Sequence, residues 1–168
     1  MTDDDREARL RHLEEGWAHG ARAVEGAVET HQLDHRSDDS NAVRQAGFFA
    51  MYDWLLGGDP QWLYAPGEKN AYYQHDCGHY FPAPPDWTPE GLRGAMAQPN
   101  PLGQSSEGLD QAELARLANA LDALTRQEIA DALANMDTIW PIDAAHVDAV
   151  VDVADGRRSE VATRLRTL

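Results

Sequence analysis

A mainly α domain with one short β-hairpin near residues 61–76 is the fold class the sequence predicts, and three observations predict it. Apolar residues recur every three or four positions through much of the chain, the period of one helix face. Two stretches open on a capping residue with glutamate three positions on, Asp110 with Glu113 and Thr125 with Glu128. A single pair of short aromatic-rich runs flanks the turn-forming stretch PGEKN.

Taken in order, residues 5–29 carry Leu10, Leu13, Trp17, Ala21, Val24 and Val28 at helical spacing and predict an amphipathic helix. Gly16, Gly20 and Gly26 weaken it by about 1 kcal/mol each relative to alanine, so it needs a partner surface. Residues 30–41 are rich in residues that favour caps and turns and predict a loop, which sets an N-terminal unit, 1–38, apart from a helical domain, 39–168. A core helix then starts with Asp39 or Ser40 as cap and runs to Gly57, with Phe48, Phe49, Tyr52 and Trp54 making it the most aromatic segment. Residues 61–64 and 71–74 form the hairpin, and strand content is expected to end there. Pro82, Pro84 and Pro85 exclude regular structure until a short helix beginning near Thr88. Residues 97–108 predict a flexible loop, two capped helices follow, and a helical region over 144–168 closes the chain with Gly156 as an expected break.

The 168 residues suffice for one domain with a core and a short N-terminal arm. Against 14 basic residues stand 29 acidic ones, a formal charge of -15, and such a surface repels nucleic-acid phosphates and anionic membranes. Lys69 is the only lysine, so nearly all of the basic charge is arginine. A lone cysteine, Cys77, excludes an intrachain disulfide and fits a reducing compartment. The first residues lack a basic stretch followed by an apolar run, and no apolar stretch is long enough to span a membrane, so the expected location is cytoplasmic.

Chemistry concentrates in QHDCGHYF, residues 74–81. His75, Asp76, Cys77 and His79 are competent zinc ligands, although no second Cys or His cluster follows and an extended segment turns Asp76 away from the other three. A cysteine nucleophile would need a histidine held across space. A hairpin end with a glycine turn and structural histidines is the plainest reading. A fourth rests on the earlier acid Asp59, just past the glycine pair Gly57 and Gly58: a loop carboxylate and a strand-end carboxylate would flank one short ribbon. Phosphotransferases use such a pair, one to orient the attacking hydroxyl and one to hold magnesium on the nucleotide phosphates.

The stretch FFAMYDWLLGGDPQWLY followed by AYYQHDCGHYF resembles the catalytic region of HipA-like kinases and, more remotely, phosphatidylinositol kinases. The closing residues 124–168, with their Trp-Pro step before a last helical region, are also similar to that family. The resemblance covers residues 39–168 and implies a helical kinase C-lobe-like domain with Mg and ATP as cofactors. It gives Asp59 the place of the catalytic-loop aspartate, Asp76 that of the magnesium-binding aspartate, and Gly78 that of the motif's glycine. Gln61, His75 and His79 are the further candidates beside them.

The chain departs from the family at defined points. No strand series and no lysine precede Asp59, so the β-rich N-lobe that holds the nucleotide phosphates has no counterpart, and Lys69 follows the loop acid instead of preceding it. Pro60 replaces the basic residue after the loop aspartate, and Asn70 is the nearest asparagine beyond it. The expectation is a partial phosphotransferase that works with, or as, a partner subunit. The alternatives are a non-catalytic protein-interaction module, presenting Trp54, Trp62, Tyr64, Tyr72 and Tyr73 on an exposed face where the N-lobe would pack, and a zinc-binding helical domain. A protein partner or a homo-oligomer is expected.

Overall fold

In the computed structural model, residues 23–74, 80–81, 87–134 and 143–168 are described. Val28–Thr30 form a strand, β1, where the sequence predicts the end of a helix. The reason is visible just before it: Gly26 takes a left-handed φ of 67° and Ala27 N–H bonds Val24 C=O at 3.3 Å, a turn that breaks the helical register. The remainder of the predicted N-terminal helix, residues 5–22, lies outside the described residues.

The predicted hairpin forms as β2 (Trp62–Ala65) and β3 (Ala71–Gln74), joined by a 3-10 turn over Pro66–Glu68 with Lys69 and Asn70 in left-handed conformations. Antiparallel pairing sets Trp62 opposite Gln74 and Tyr64 opposite Tyr72. β1 adds to the other side of β2, with Val28 opposite Tyr64 and Thr30 opposite Trp62, so the order is β1-β2-β3. The hairpin is therefore two-thirds of a small sheet, and among the described residues no strand follows it, as expected.

α1 (Asn41–Trp54) packs beneath the sheet and supplies Ala46, Phe49 and Ala50 to the main core, where they meet Trp62 and Tyr72. Phe48 stacks on Trp62 at 6.1 Å between ring centres. Buried Asn41 ties helix to sheet: its amide nitrogen donates to Asn70 C=O at 2.8 Å and its oxygen accepts Tyr72 N–H at 3.0 Å. The short helix α2 (Pro89–Gly94) begins where predicted, with Thr88 Oγ1 accepting Gly91 N–H at 3.1 Å.

Both predicted capping sequences start helices, α3 (Gln111–Ala123) and α4 (Arg126–Leu133). Thr125 and Glu128 complete a reciprocal capping box, whereas Glu113 turns to Arg116 at 2.7 Å and leaves Asp110 to cap α3 alone. Among the described residues, α5 (Ala144–Leu165) packs on each of the other four helices. It runs unbroken through Gly156, contrary to the predicted break. A Cβ there would stand 2.3 Å from the Met96 sulfur, so the glycine serves a close crossing and not an interruption.

Residues 97–108 are irregular, as predicted, yet closely held. Asn100 bonds the Tyr52 and Gly57 carbonyls at 3.1 and 2.9 Å, and Leu102 is buried in the main core. Among the described residues no helix is long and apolar enough to cross a membrane.

Candidate functional site

The C-terminal end of α1 builds the site. Leu56 takes a left-handed φ of 53° and Gly57 N–H reaches back to Tyr52 C=O at 2.7 Å, the closing bond of a Schellman turn. The left-handed position thus falls on leucine and not on the glycine the sequence offers one residue later. Such a conformation costs about 1–2 kcal/mol. Burial of a leucine side chain gives roughly 1.5–3 kcal/mol, and Leu56 is buried with Leu92, Ala149 and Val153, so packing carries the strain. Gly57 is fixed by a different constraint: an added Cβ would meet the Tyr52 ring at 2.5 Å.

Two residues beyond, Asp59 is exposed and itself left-handed, φ 41°. Non-glycine residues held there concentrate at functional sites. Gln61 donates from Nε2 to Asp59 Oδ2 at 2.7 Å and so fixes one face of the carboxylate. The intervening Pro60 accepts a bond at its carbonyl from His31 Nδ1 at 2.8 Å, which ties this turn to the end of β1.

Asp59, Gln61, Gln74, Tyr52 and Tyr80 line one shallow cleft of about 190 Å³, open solvent included. Gln74, the last residue of β3, donates to the Tyr80 hydroxyl, and Phe81 N–H bonds Leu55 C=O at 2.8 Å. Both ends of the 75–79 stretch are therefore anchored at the cleft that holds Asp59. The rings of Tyr52 and Tyr80 meet edge to face at 6.3 Å. Burial, and then the Asp59 carboxylate, push the Tyr52 hydroxyl above its ordinary pKa.

Of the predicted site residues, Asp59 and Gln61 are brought together at this cleft. Asp76, Gly78, His75 and His79, together with Cys77, lie outside the described residues. Among the described residues no group of three metal-competent side chains converges. Tyr52, Gln74 and Tyr80 belong to the cleft although sequence reasoning singled out none of them. Their signal was position alone, one helical turn before the glycine pair and on either side of the acid-bearing stretch.

The exposed aromatic face expected of an interaction module is not there. Trp62 and Tyr72 are 2% and 1% exposed in the main core, and Trp54 is half-buried with its indole N–H on Ala154 C=O at 2.7 Å. Tyr64 and Tyr73 are also half-buried, and Tyr64 stacks on Tyr72 at 5.6 Å. The alternation along β2 and β3 points Trp62, Tyr64 and Tyr72 toward α1 and the main core. Arginines are engaged as well: Arg93 pairs with Asp152 at 2.6 Å, Arg44 with Asp39, and Arg36 with Gln45 at 2.7 Å.

Behind the cleft lies a buried ion-pair cluster. Asp53, one turn before Leu56, receives Arg164 through Nε at 2.7 Å and Nη2 at 2.9 Å, a two-pronged pairing. Arg157 donates to Asp53 Oδ1 at 3.0 Å and to the carbonyls of Trp54, Met96 and Gln98 at 3.1, 2.8 and 2.6 Å. Asn100 N–H adds a bond to Asp53 Oδ1 at 3.1 Å. The turn that presents Asp59 is thus clamped from α5 and from the 97–108 segment. Comparison with protein-family models, with curated proteins and with solved structures finds no match for this chain.

Proposed function

We propose that the chain is the helical portion of a HipA-like, kinase-related phosphotransferase, working with or as a partner subunit. Asp59 orients the acceptor hydroxyl, Asp76 holds magnesium, and Gly78 takes the place of the family motif's glycine; ATP is the phosphate donor. The observation that carries the reading is the shared cleft: Asp59 lines it together with Gln74 and Tyr80, the residues on either side of the stretch containing Asp76. Asp76 is two residues from Gln74, and two extended residues reach about 7 Å at most. A second carboxylate beside Asp59 is thereby within the chain's reach.

The donors available at the cleft, a carboxylate with side-chain amides, are oxygen groups of the kind magnesium takes, in contrast to the thiolate and imidazole a structural zinc prefers. Bound magnesium and ATP would supply charge neutralisation on the transferring phosphoryl group. The chain's own part is positioning. Gln61 holds the Asp59 carboxylate, His31 fixes Pro60 beside it, and the clamped end of α1 keeps the turn from relaxing.

Titration calorimetry of the full chain with Mg-ATP tests the reading. Binding heat that disappears in Asp76→Asn, with Asp59→Asn retaining binding but losing phosphate transfer, is the expected result. Absence of heat, both alone and with any protein that co-purifies, would overturn it. Elemental analysis that finds zinc bound through His75, Cys77 and His79 would replace it with the zinc-binding alternative.

A further inference from the structure

Asp59 is followed by proline, and the proline ring pushes the residue in that place toward extended backbone. Asp59 instead holds a φ of 41°, so its conformation is opposed twice, by its own Cβ and by Pro60. The fold keeps it there by fixing the chain on both sides. Upstream, Leu56 is buried and Gly57 N–H is bonded to Tyr52 C=O. Downstream, the Pro60 carbonyl accepts His31 Nδ1 at 2.8 Å, and Trp62, the first residue of β2, is 2% exposed in the main core. The side chain is held as well. Gln61 lies on the C-terminal side of Asp59, and its Nε2 donates to Asp59 Oδ2 at 2.7 Å, which draws the carboxylate toward the peptide bond with Pro60. Asp59 is exposed, so water reaches the same bond.

We propose that this turn cleaves itself between Asp59 and Pro60. One oxygen of the Asp59 carboxylate attacks the backbone carbonyl carbon of the same residue and closes a cyclic anhydride. A C–O bond forms, the C–N bond to Pro60 breaks, and the released nitrogen takes a proton from water. The hydroxide left behind opens the anhydride, so water is consumed and Asp59 ends with both an α- and a β-carboxyl group. A proline nitrogen departs as a secondary amine, more basic than other peptide nitrogens and therefore the better leaving group. The rate rests on nearness, because nucleophile and carbonyl belong to one residue, and on release of the backbone strain when the bond breaks. This activity uses Asp59 independently of phosphate transfer. The pieces, 1–59 and 60–168, stay together, because β1 remains paired with β2 and Asp53 remains bonded to Arg157 and Arg164.

Intact-mass spectrometry of the full-length chain tests the proposal. Two samples are incubated at the same pH and temperature, one folded and one unfolded in urea. Cleavage is expected to run about tenfold faster or more in the folded sample, the rate equivalent of the strain released. The new N-terminus is Pro60, the pieces co-elute until denatured, and Asp59→Ala stays whole. His31→Ala is expected to slow the folded reaction and leave the rate in urea unchanged, which separates a held turn from an ordinary labile bond. A folded chain that stays whole, or is cut no faster than the sample in urea, would overturn the proposal. So would the same cut in Asp59→Ala, since a contaminating protease would then be responsible.

Discussion

Asp53 and Asp59 sit at the same end of α1 and have opposite surroundings. Asp53 is 4% exposed and saturated by Arg157, Arg164 and Asn100. Asp59 is exposed, backbone-strained and held by Gln61 across an open cleft. The first carboxylate is spent on holding chain segments together, and the second is presented to solvent by the turn those segments clamp. The difference teaches where to look for chemistry in this molecule: the acid with the most partners is structural, and the acid with the strained backbone is the candidate reactive group.

The comparison breaks first at Asp53. Asp53→Ala strands Arg157, 2% exposed, without its counter-charge, and an orphaned buried charge costs about 3–5 kcal/mol. Urea unfolding should therefore lose a large part of the total stability. Next comes Gly57→Ala, which drives a methyl group into the Tyr52 ring. Overpacking of this kind costs about 1–3 kcal/mol, and a near-ultraviolet circular dichroism change should report the displaced tyrosine. Asp59→Asn should leave the unfolding free energy within about 0.5 kcal/mol of wild type, as for an exposed substitution, while abolishing the phosphate transfer proposed above. A loss of stability rivalling that of Asp53→Ala would mean the two acids do not divide their labour as argued.

The finest test is spectroscopic. The Tyr52 hydroxyl is raised mainly by burial and secondly by Asp59, so in Asp59→Asn its ionisation, followed by ultraviolet absorbance, should move only part of the way back. The sign for stability follows. A folded-state pKa above the unfolded one contributes stability that is complete below about pH 10 and lost as pH rises through the folded value. The substitution should make that alkaline loss slightly smaller.

Local signals were legible in the sequence and distant ones were not. The hairpin was written in two aromatic runs around PGEKN, and α3 and α4 in their capping residues, because each depends on neighbours within a few positions. β1 was hidden because Val24 and Val28 also fit a helix, and what makes the latter a strand residue is Tyr64 on a distant segment. Gly156 reads as a helix breaker until Met96 is seen across from it. The pairing of Asp53 with Arg157 and Arg164 spans most of the domain and leaves no trace in local composition. At the site, Asp59 was readable from its place after a glycine pair, whereas Tyr52 and Tyr80 join it only through the fold.

The clamp on α1 has a consequence for the order of events during synthesis. Arg157 and Arg164 leave the ribosome well after the turn bearing Asp59, yet that turn depends on them. A nascent chain can complete its hairpin early while the neighbouring acid waits, solvated, for a counter-ion not yet made. Chains stalled just before residue 157 should be cut readily by protease at the 55–60 turn, and full-length released chains should resist it there.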